Sequence, residues 1–489
     1  MTIVIAGERS GVGKTTVTLA ILAALLRYSN RVQSFKVGPD YIDPMFHRAV
    51  TGLNSYNLDP VLTSEKYVQD CFATHTQGME YALIEGVMGL FDGVEPTWNN
   101  PKVLNPSFVE QDGFQPTNEP SDGKERETVY DYFASTAHIA RLLDLPVVMV
   151  LDCSRLSGSI AAVVHGYTSL DPRLKFGGLI LNQVGSDRHL ELLQTALEPL
   201  HIPILGVIRR QSSITIPDRH LGLIPTAELS NLPVLIDHLG ELGQTCFDWS
   251  QLLPLLSQSF PSPPPSHQIT PPPRFPTTSI AIAHDPAFSF YYADNLKILT
   301  TMGAELIPWS PMDDPCLPSG IQGIYLGGGF PEVFARELSE NLPGRQTLFS
   351  LIHQGVPTYA ECGGLMYLTE HIIDFNDQPW SMVGILPTQT RMKKGLTLGY
   401  RQAIAQLNTP MITHGSLIQG HEFHRSQTDT IPSQPIFQFQ NPNTGQLTRG
   451  DGWSMANLHA SYLHLHWGAS PSIPHRFLQQ CQTSKNQLK

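Results

Sequence analysis

Along the first half of the chain, short unbroken apolar runs alternate with stretches of helical period. TIVIA (2–6), YALIE (81–85), PVVMVLD (146–152) and FGGLILN (176–182) predict buried strands of a parallel sheet. TVTLAILAALLRY (16–28) and HLELLQTAL (189–197) predict the helices that cross between them. The pattern stops at 94–127, a proline-rich acidic stretch that predicts a disordered or loosely tethered surface insertion. It stops again at FPSPPPSHQITPPPRFP (260–276), whose eight prolines predict a stiff, extended linker. Afterwards it restarts, with strands at TSIAIAHD (278–285), GIYLGGG (323–329) and VPTYAE (356–361) and a helix at NLKILTTMGA (295–304). The expected fold is α/β in two domains: a parallel-sheet, nucleotide-binding domain over 1–253 and a second α/β domain over 278–472. A linker over 254–277 joins them, and 473–489 is a tail.

Composition narrows the function more than the fold. The 489 residues are 41% hydrophobic and 15% charged, with a net charge of −12, which argues against nucleic acid as the main partner. An anionic small substrate would need local basic groups, for which Arg48, Arg209, Arg210, Arg219 and His220 are available. RMKKG (391–395) reads as a solvated loop. Six cysteines (Cys71, Cys153, Cys246, Cys316, Cys362, Cys481) are scattered, with no disulfide or zinc spacing. No apolar run reaches the ~18 residues of a membrane span, and MTIVIAGERSG has no charged leader, so a cytoplasmic location is expected. A homo-oligomer is compatible with all of this.

GERSGVGKTT (7–16) follows a strand and opens a helix, the setting of a phosphate-binding loop. Its backbone N–H groups, notably at Gly11 and Gly13, and the helix N-terminus at Thr15 and Thr16 meet phosphate oxygens. Lys14 reaches the outer phosphates of ATP, and Thr15 can ligate magnesium. Gly7 lies one residue farther from Gly13 than the usual spacing. In KVGPDYIDPMFH (36–47), Lys36, Asp40, Asp43 and His47 fall at the end of the second strand, where an α/β sheet places its ligands. Glu85 closes the next strand as a second magnesium-side acid, making Thr15, Asp40 and Glu85 the expected metal donors and Asp40, Asp43 and Glu85 the substrate-activating acids. Asp92 is a weaker candidate. Asn182, closing LILN, either reads an adenine edge or caps the following helix.

In YAECGGLMYL (359–368), Cys362 sits between a strand and a helical stretch. It is either inert core or a nucleophile on a sharp turn. The adjoining Gly363 and Gly364 favour the turn, since a cramped elbow needs them, and a helix N-terminus favours thiolate. Gly363 and one glycine of the 327–329 run, Gly328, would donate to an oxyanion. SYLHLHW (461–467) supplies His464 and His466 as bases, on one face of a strand.

The longer phosphate loop resembles that of dethiobiotin synthetase, and the second half resembles class I, triad-type glutamine amidotransferase domains, with Ala360 in place of the usual first elbow glycine. DYIDP, AFSFYY (287–292), YLGGGFPE (325–332), YAECGGLMYL, LGYR (398–401), GHEFHRS (420–426) and SYLHLHW together resemble the cobyrinic acid a,c-diamide synthases of cobalamin biosynthesis. The resemblance runs to about residue 472, except for the insertion and the linker. It implies Cys362 as nucleophile and His464 as its base, with His466 second, and leaves the third triad member open, Glu422 being nearest by composition. It also implies ATP, magnesium, glutamine and a corrinoid: ATP activates a carboxylate as an acyl phosphate, and ammonia from glutamine displaces the phosphate at the a and c side chains. Two alternatives stand beside it. One is the same chemistry on another tetrapyrrole, hydrogenobyrinate or nickel-sirohydrochlorin. The other is a partitioning-type ATPase switch, with Arg9 as the basic residue of its loop, joined to an inactive amidotransferase domain.

Overall fold

The structure is a computed structural model of the chain and describes residues 2–94, 131–210, 217–219, 222–256 and 275–485. The expected insertion beyond Val94, the middle of the expected linker and His220 lie outside the described residues.

Among the described residues, the first sheet has seven parallel strands. They are β1 (Thr2–Gly7), β2 (Val32–Val37), β3 (Tyr56–Leu58), β4 (Tyr81–Glu85), β5 (Val147–Asp152), β6 (Phe176–Val184) and β7 (Ile204–Arg209), in the order β3-β2-β4-β1-β5-β6-β7. Every residue of β1 and β2 is buried, as expected of strands covered on both faces. The helix Lys14–Leu25 is buried almost all round, because the helix Leu232–Thr245 covers the side that the sheet does not. A short antiparallel pair, β8 (Asp218–Arg219) and β9 (Gly222–Leu223), lies at the edge of the cavity described below.

The second domain has two sheets. One comprises β10 (Thr278–Ala283), β11 (Ala304–Trp309), β12 (Gly323–Leu326) and β13 (Thr358–Glu361), all parallel. The other comprises β14 (Thr369–Ile373), β15 (Pro379–Ser381), β16 (Leu386–Ala405), β17 (Leu417–Thr428), β18 (Phe437–Gln440) and β19 (Leu447–Asp451). The chain then returns to the first of these sheets with β20 (Trp453–Met455) and β21 (Leu458–Ser461), giving the order β11-β10-β12-β13-β21-β20. The long β16–β17 hairpin is absent from the sequence reading. RMKKG is part of β16 and not a loop: Lys393 and Lys394 are exposed, but the backbone pairs with β14 and β17 around a break in register. The tail also differs from expectation. Residues Ser472–Lys485 form a helix that buries Ile473, Phe477, Leu478 and Cys481, an apolar stripe of helical period, beneath β10 and β12.

The two domains share a core. Phe290, Tyr292 and Phe330 of the second pack into the cluster built on β1 and the helix Lys14–Leu25 of the first. Polar contacts cross the same surface: the Tyr67 hydroxyl donates to Asp294 (2.6 Å) and the Tyr400 hydroxyl to Asp59 (2.9 Å). No helix among the described residues is long and apolar enough to cross a membrane.

Candidate active site

Strand register assembles the first centre. Glu85 on β4 is paired with Ile5 on one side and Lys36 on the other, so the ends of β1, β2 and β4 open at one place. Gly13 holds a φ of 98° as the chain turns into the helix at Lys14, a backbone that favours glycine. Thr15 donates to Glu85 Oε1 (2.6 Å). Lys36 Nζ donates to Asp43 (2.6 Å) and Glu85 (3.0 Å), and His47 Nε2 meets the other oxygen of Glu85 (2.7 Å). Asp40 spends Oδ1 on the N–H groups of Ile42 and Asp43, starting the helix Ile42–Thr51, and its Oδ2 stands 3.8 Å from Lys36.

Charge in this cluster is tightly bound. Burial by itself would raise the Glu85 carboxyl, but Lys36, with the contacts from His47 and Thr15, holds it well below the carboxylate range. Burial would likewise depress Lys36, and Asp43, Glu85 and Asp40 reverse that. For Lys14 the support of Glu85, Asp43 and Glu8 is outweighed. Burial first, and Lys36 second, lower it to about 8, while Nζ donates to the carbonyls of Arg9 (3.1 Å) and Met88 (2.5 Å).

Thr15, Glu85, Asp40 and Asp43 offer hard oxygen donors, suited to a magnesium ion that takes one or two carboxylates and completes its shell with phosphate and water. Among the described residues no three acidic, histidine or cysteine side chains form a metal cage of their own. Of the two roles expected of Asn182, the helix cap is not the one it takes. Its side chain donates to the Val12 carbonyl (2.8 Å) and so braces the phosphate loop, while Ser186 caps the following helix. Asp92 serves its own turn, accepting from the Gly89 N–H (2.8 Å).

The second centre draws on three neighbouring strands. Leu326 is in register with Ala360, and Glu361 with Ser461, so the chain leaves β12, β13 and β21 side by side. Cys362 adopts φ 45°, ψ −100°, a strained conformation for a residue with a side chain, and its N–H is fixed to the Ser461 carbonyl (2.8 Å). The thiol is buried, 4.0 Å from the Phe423 carbonyl. Burial, and then Glu332, push it well above its usual range, overriding the helix N-terminus expected to favour thiolate.

His464 follows β21, bridged to His421 of β17 through both backbone groups, and is not within a strand as expected. A Cβ on Gly328 would stand 2.6 Å from His464 Cε1, so Gly328 makes room for the imidazole. The loop atom nearest a Cβ on Gly363 is the backbone nitrogen of Gly329, at 3.0 Å. His466 points elsewhere, 3.4 Å from Asp294 at the domain interface. Glu422 is taken by Arg401, Arg449 and His424, and the latter two hold it down at about 2 against the effect of burial. Among the described residues the only carboxylate within 4 Å of His464 is Glu361.

A cavity of about 890 Å³ runs from the phosphate loop, past Lys36, Asp40, Asp43 and Glu85, to His421 and Phe423 of the second domain. Tyr41, between the two aspartates, closes the gap between the centres: its ring stacks on Phe290 (5.2 Å, 2°) and lies 5.1 Å from the ring of His464. Of the basic residues proposed to hold substrate, Arg209 lines this cavity while paired with Asp187, and Arg219 is paired with Glu228. Tyr41, His421 and Phe423 have no role in the sequence reading. All three lie inside motifs quoted there, but only the pairing of β17 beside His464 and the docking of the first domain bring them together around the second centre.

Two family models match the two halves: a CobQ/CobB/MinD/ParA nucleotide binding domain over residues 3–224 and a CobB/CobQ-like glutamine amidotransferase domain over 279–472. A cobyrinate a,c-diamide synthase of a Synechococcus strain is 55% identical, covering 99% of this chain and 98% of its own. A Synechocystis protein of the same name is 50% identical over 100% and 95%. A hydrogenobyrinate a,c-diamide synthase of Streptomyces coelicolor is 37% identical over 99% and 98%. With identity at this level sustained from end to end of both chains, this protein belongs to the cobyrinate a,c-diamide synthase family.

Proposed function

We propose that the protein converts the a and c carboxylates of cobyrinic acid into amides, using ATP and glutamine. The observation that carries this is the shared cavity: one wall is a phosphate loop with its acids, and the other includes β17 backbone that touches the buried thiol of Cys362 and bridges to the buried His464. A carboxylate does not accept ammonia unaided, which is why an ATP site and an ammonia source belong in one molecule.

In the first domain, Gly11, Gly13, Thr15 and Thr16 hold the phosphates of ATP. Lys14 exchanges its two carbonyl partners for phosphate oxygens, offsetting charge on the phosphoryl group as it moves to a corrinoid carboxylate. Magnesium, held by Thr15 and Glu85 with Asp40, supplies further charge neutralisation when bound. Asp43 and Lys36 orient the accepting carboxylate, and Arg209 faces the remaining ones.

In the second domain, Cys362 attacks the amide of glutamine. Its proton passes to His464 and leaves on ammonia, and the thioester is hydrolysed to glutamate. Gly363 and Gly329, in place of Gly328, donate to the oxyanion. Ammonia passes by Tyr41, His421 and Phe423 to the acyl phosphate, giving amide and phosphate.

Mass spectrometry of a reaction with cobyrinic acid, ATP, magnesium and glutamine is expected to show two carboxylates amidated and then no further change. Hydrogenobyrinic acid in a parallel reaction tests the substrate of the Streptomyces relative. Glutaminase activity without amidation of either compound would refute the substrate, and ATP hydrolysis without glutaminase would favour a switch ATPase.

Tyr41 tests the coupling. With Tyr41→Ala, the packing between the substrate loop and His464 is lost, and glutamate released per amide formed should rise several-fold. Tyr41→Phe keeps the ring and should stay near wild type. Matched stoichiometry in both variants would remove Tyr41 from the route.

A further inference from the structure

The glutaminase centre contains a buried carboxylate that the chemistry above does not use. Glu361 ends β13, immediately before the nucleophile, and is 1% exposed. Strand alternation puts it on the face of Tyr359, whose hydroxyl donates to Oε1. The N–H of Leu465 donates to the same oxygen (3.1 Å), tying the carboxylate to the backbone just after His464. Oε2 receives the Tyr325 hydroxyl (3.4 Å) and faces His464 Nδ1 at 3.7 Å. Among the described residues, His464 is the only ion-pair partner of Glu361, and neither ring nitrogen of the fully buried His464 has a hydrogen-bond partner. Two unpaired nitrogens in a dry site are costly, and a small ring rotation would join one of them to Glu361.

We propose that Glu361 is the positioning residue of this centre. Resting on Cys362 and His464 as nucleophile and base, it accepts the Nδ1–H of His464 and so selects the tautomer whose Nε2 is free to take the thiol proton. That proton moves from sulfur to Nε2 as the carbon–sulfur bond forms, then leaves with the amine as the carbon–nitrogen bond breaks. Glu361 stays ionised throughout and stabilises the imidazolium between the two transfers. The other titratable groups around the pair are Tyr325 and Tyr359, with Tyr41, Tyr291, Tyr292 and Cys362 behind them, all raised foremost by burial and neutral near pH 7. His421, across the β17 bridge, is pushed down to about 3 by burial and then by His464, so it too is neutral. These neighbours therefore keep one charge state near neutral pH.

Glu361→Gln keeps the shape and removes the charge. Its kcat for glutamine hydrolysis should fall about 10- to 100-fold with little change in KM, while synthesis from ammonium salt stays at wild type and reports an intact fold. Losing the carboxylate makes the imidazolium easier to deprotonate, so the acid limb of kcat/KM should move to lower pH. Glu361→Asp, which keeps the charge, should hold that limb near wild type. Combined with His464→Ala, Glu361→Gln should cost nothing further, because it acts through the missing ring. If Glu361→Gln does not fold, Glu361→Asp carries the same double-variant cycle. A kcat within twofold of wild type with an unmoved limb would overturn the proposal, as would losses that multiply in the double variant. Glutaminase surviving Cys362→Ala or His464→Ala would overturn the nucleophile and base themselves, and Glu361 with them.

Discussion

Cys362→Ala will abolish glutamine-dependent amidation and leave amidation from added ammonium salt intact. The two chemistries occupy different sheets, and the variant removes only the sulfur that forms the glutamyl thioester. Rescue should strengthen as pH rises, since unprotonated ammonia attacks the acyl phosphate. His464→Ala should behave in the same way. His466→Ala should be milder, because that ring faces Asp294 and not the thiol. The state of the thiol adds a second readout. It is buried and held protonated, whereas Cys316 is exposed. A small general alkylating agent should therefore modify Cys316 first, and a glutamine-like electrophile should modify Cys362 first because binding delivers it there. Full glutamine-dependent synthesis by Cys362→Ala would return the cysteine to the role of core filler.

The second large effect is at Lys14. Lys14→Ala should lower ATP-dependent synthesis on the order of 10³-fold or more, whether glutamine or ammonium supplies the nitrogen, and leave basal glutamine hydrolysis measurable. Its pH dependence has a definite sign. Burial lowers the free-enzyme ammonium to about 8, and the phosphates of ATP favour the charged form. ATP affinity should thus be nearly level below pH 8 and weaken above it, by up to about tenfold per pH unit. Titration calorimetry across that range measures it, and Lys14→Ala should lose the decline. A wild-type affinity level through pH 9.5 would separate Lys14 from the phosphates.

Both of these residues were legible in the chain because their chemistry is local. A phosphate loop is a short run of backbone between a strand and a helix, and the elbow at Cys362 is a strand end, a turn and two glycines. The acids at 40, 43 and 85 could be placed because a parallel sheet puts every strand's C-terminal end on one side. That Asn182 holds the Val12 carbonyl was not legible, because an asparagine after a strand suits several partners and only the packed loop selects one.

The sequence by itself determined the two α/β domains, the strands that carry each centre, the ATP loop and the cysteine turn. Apolar periodicity and glycine placement report whether a position is buried and how the backbone bends there. They do not report which distant residue a side chain will meet. Only the tertiary structure decided that Glu361 and not Glu422 faces His464, that Gly328 makes room for that ring, and that Tyr41 stands between the two chemistries. It also decided that the helix Ser472–Lys485 completes the core beneath β10. Glu422 shows the reason most simply. Its position beside two histidines in GHEFH suggests a catalytic acid, but Arg401 lies across the β16–β17 hairpin and Arg449 arrives from β19. A buried carboxylate goes to the cations that folding brings within reach, and their positions are set by how the strands pair.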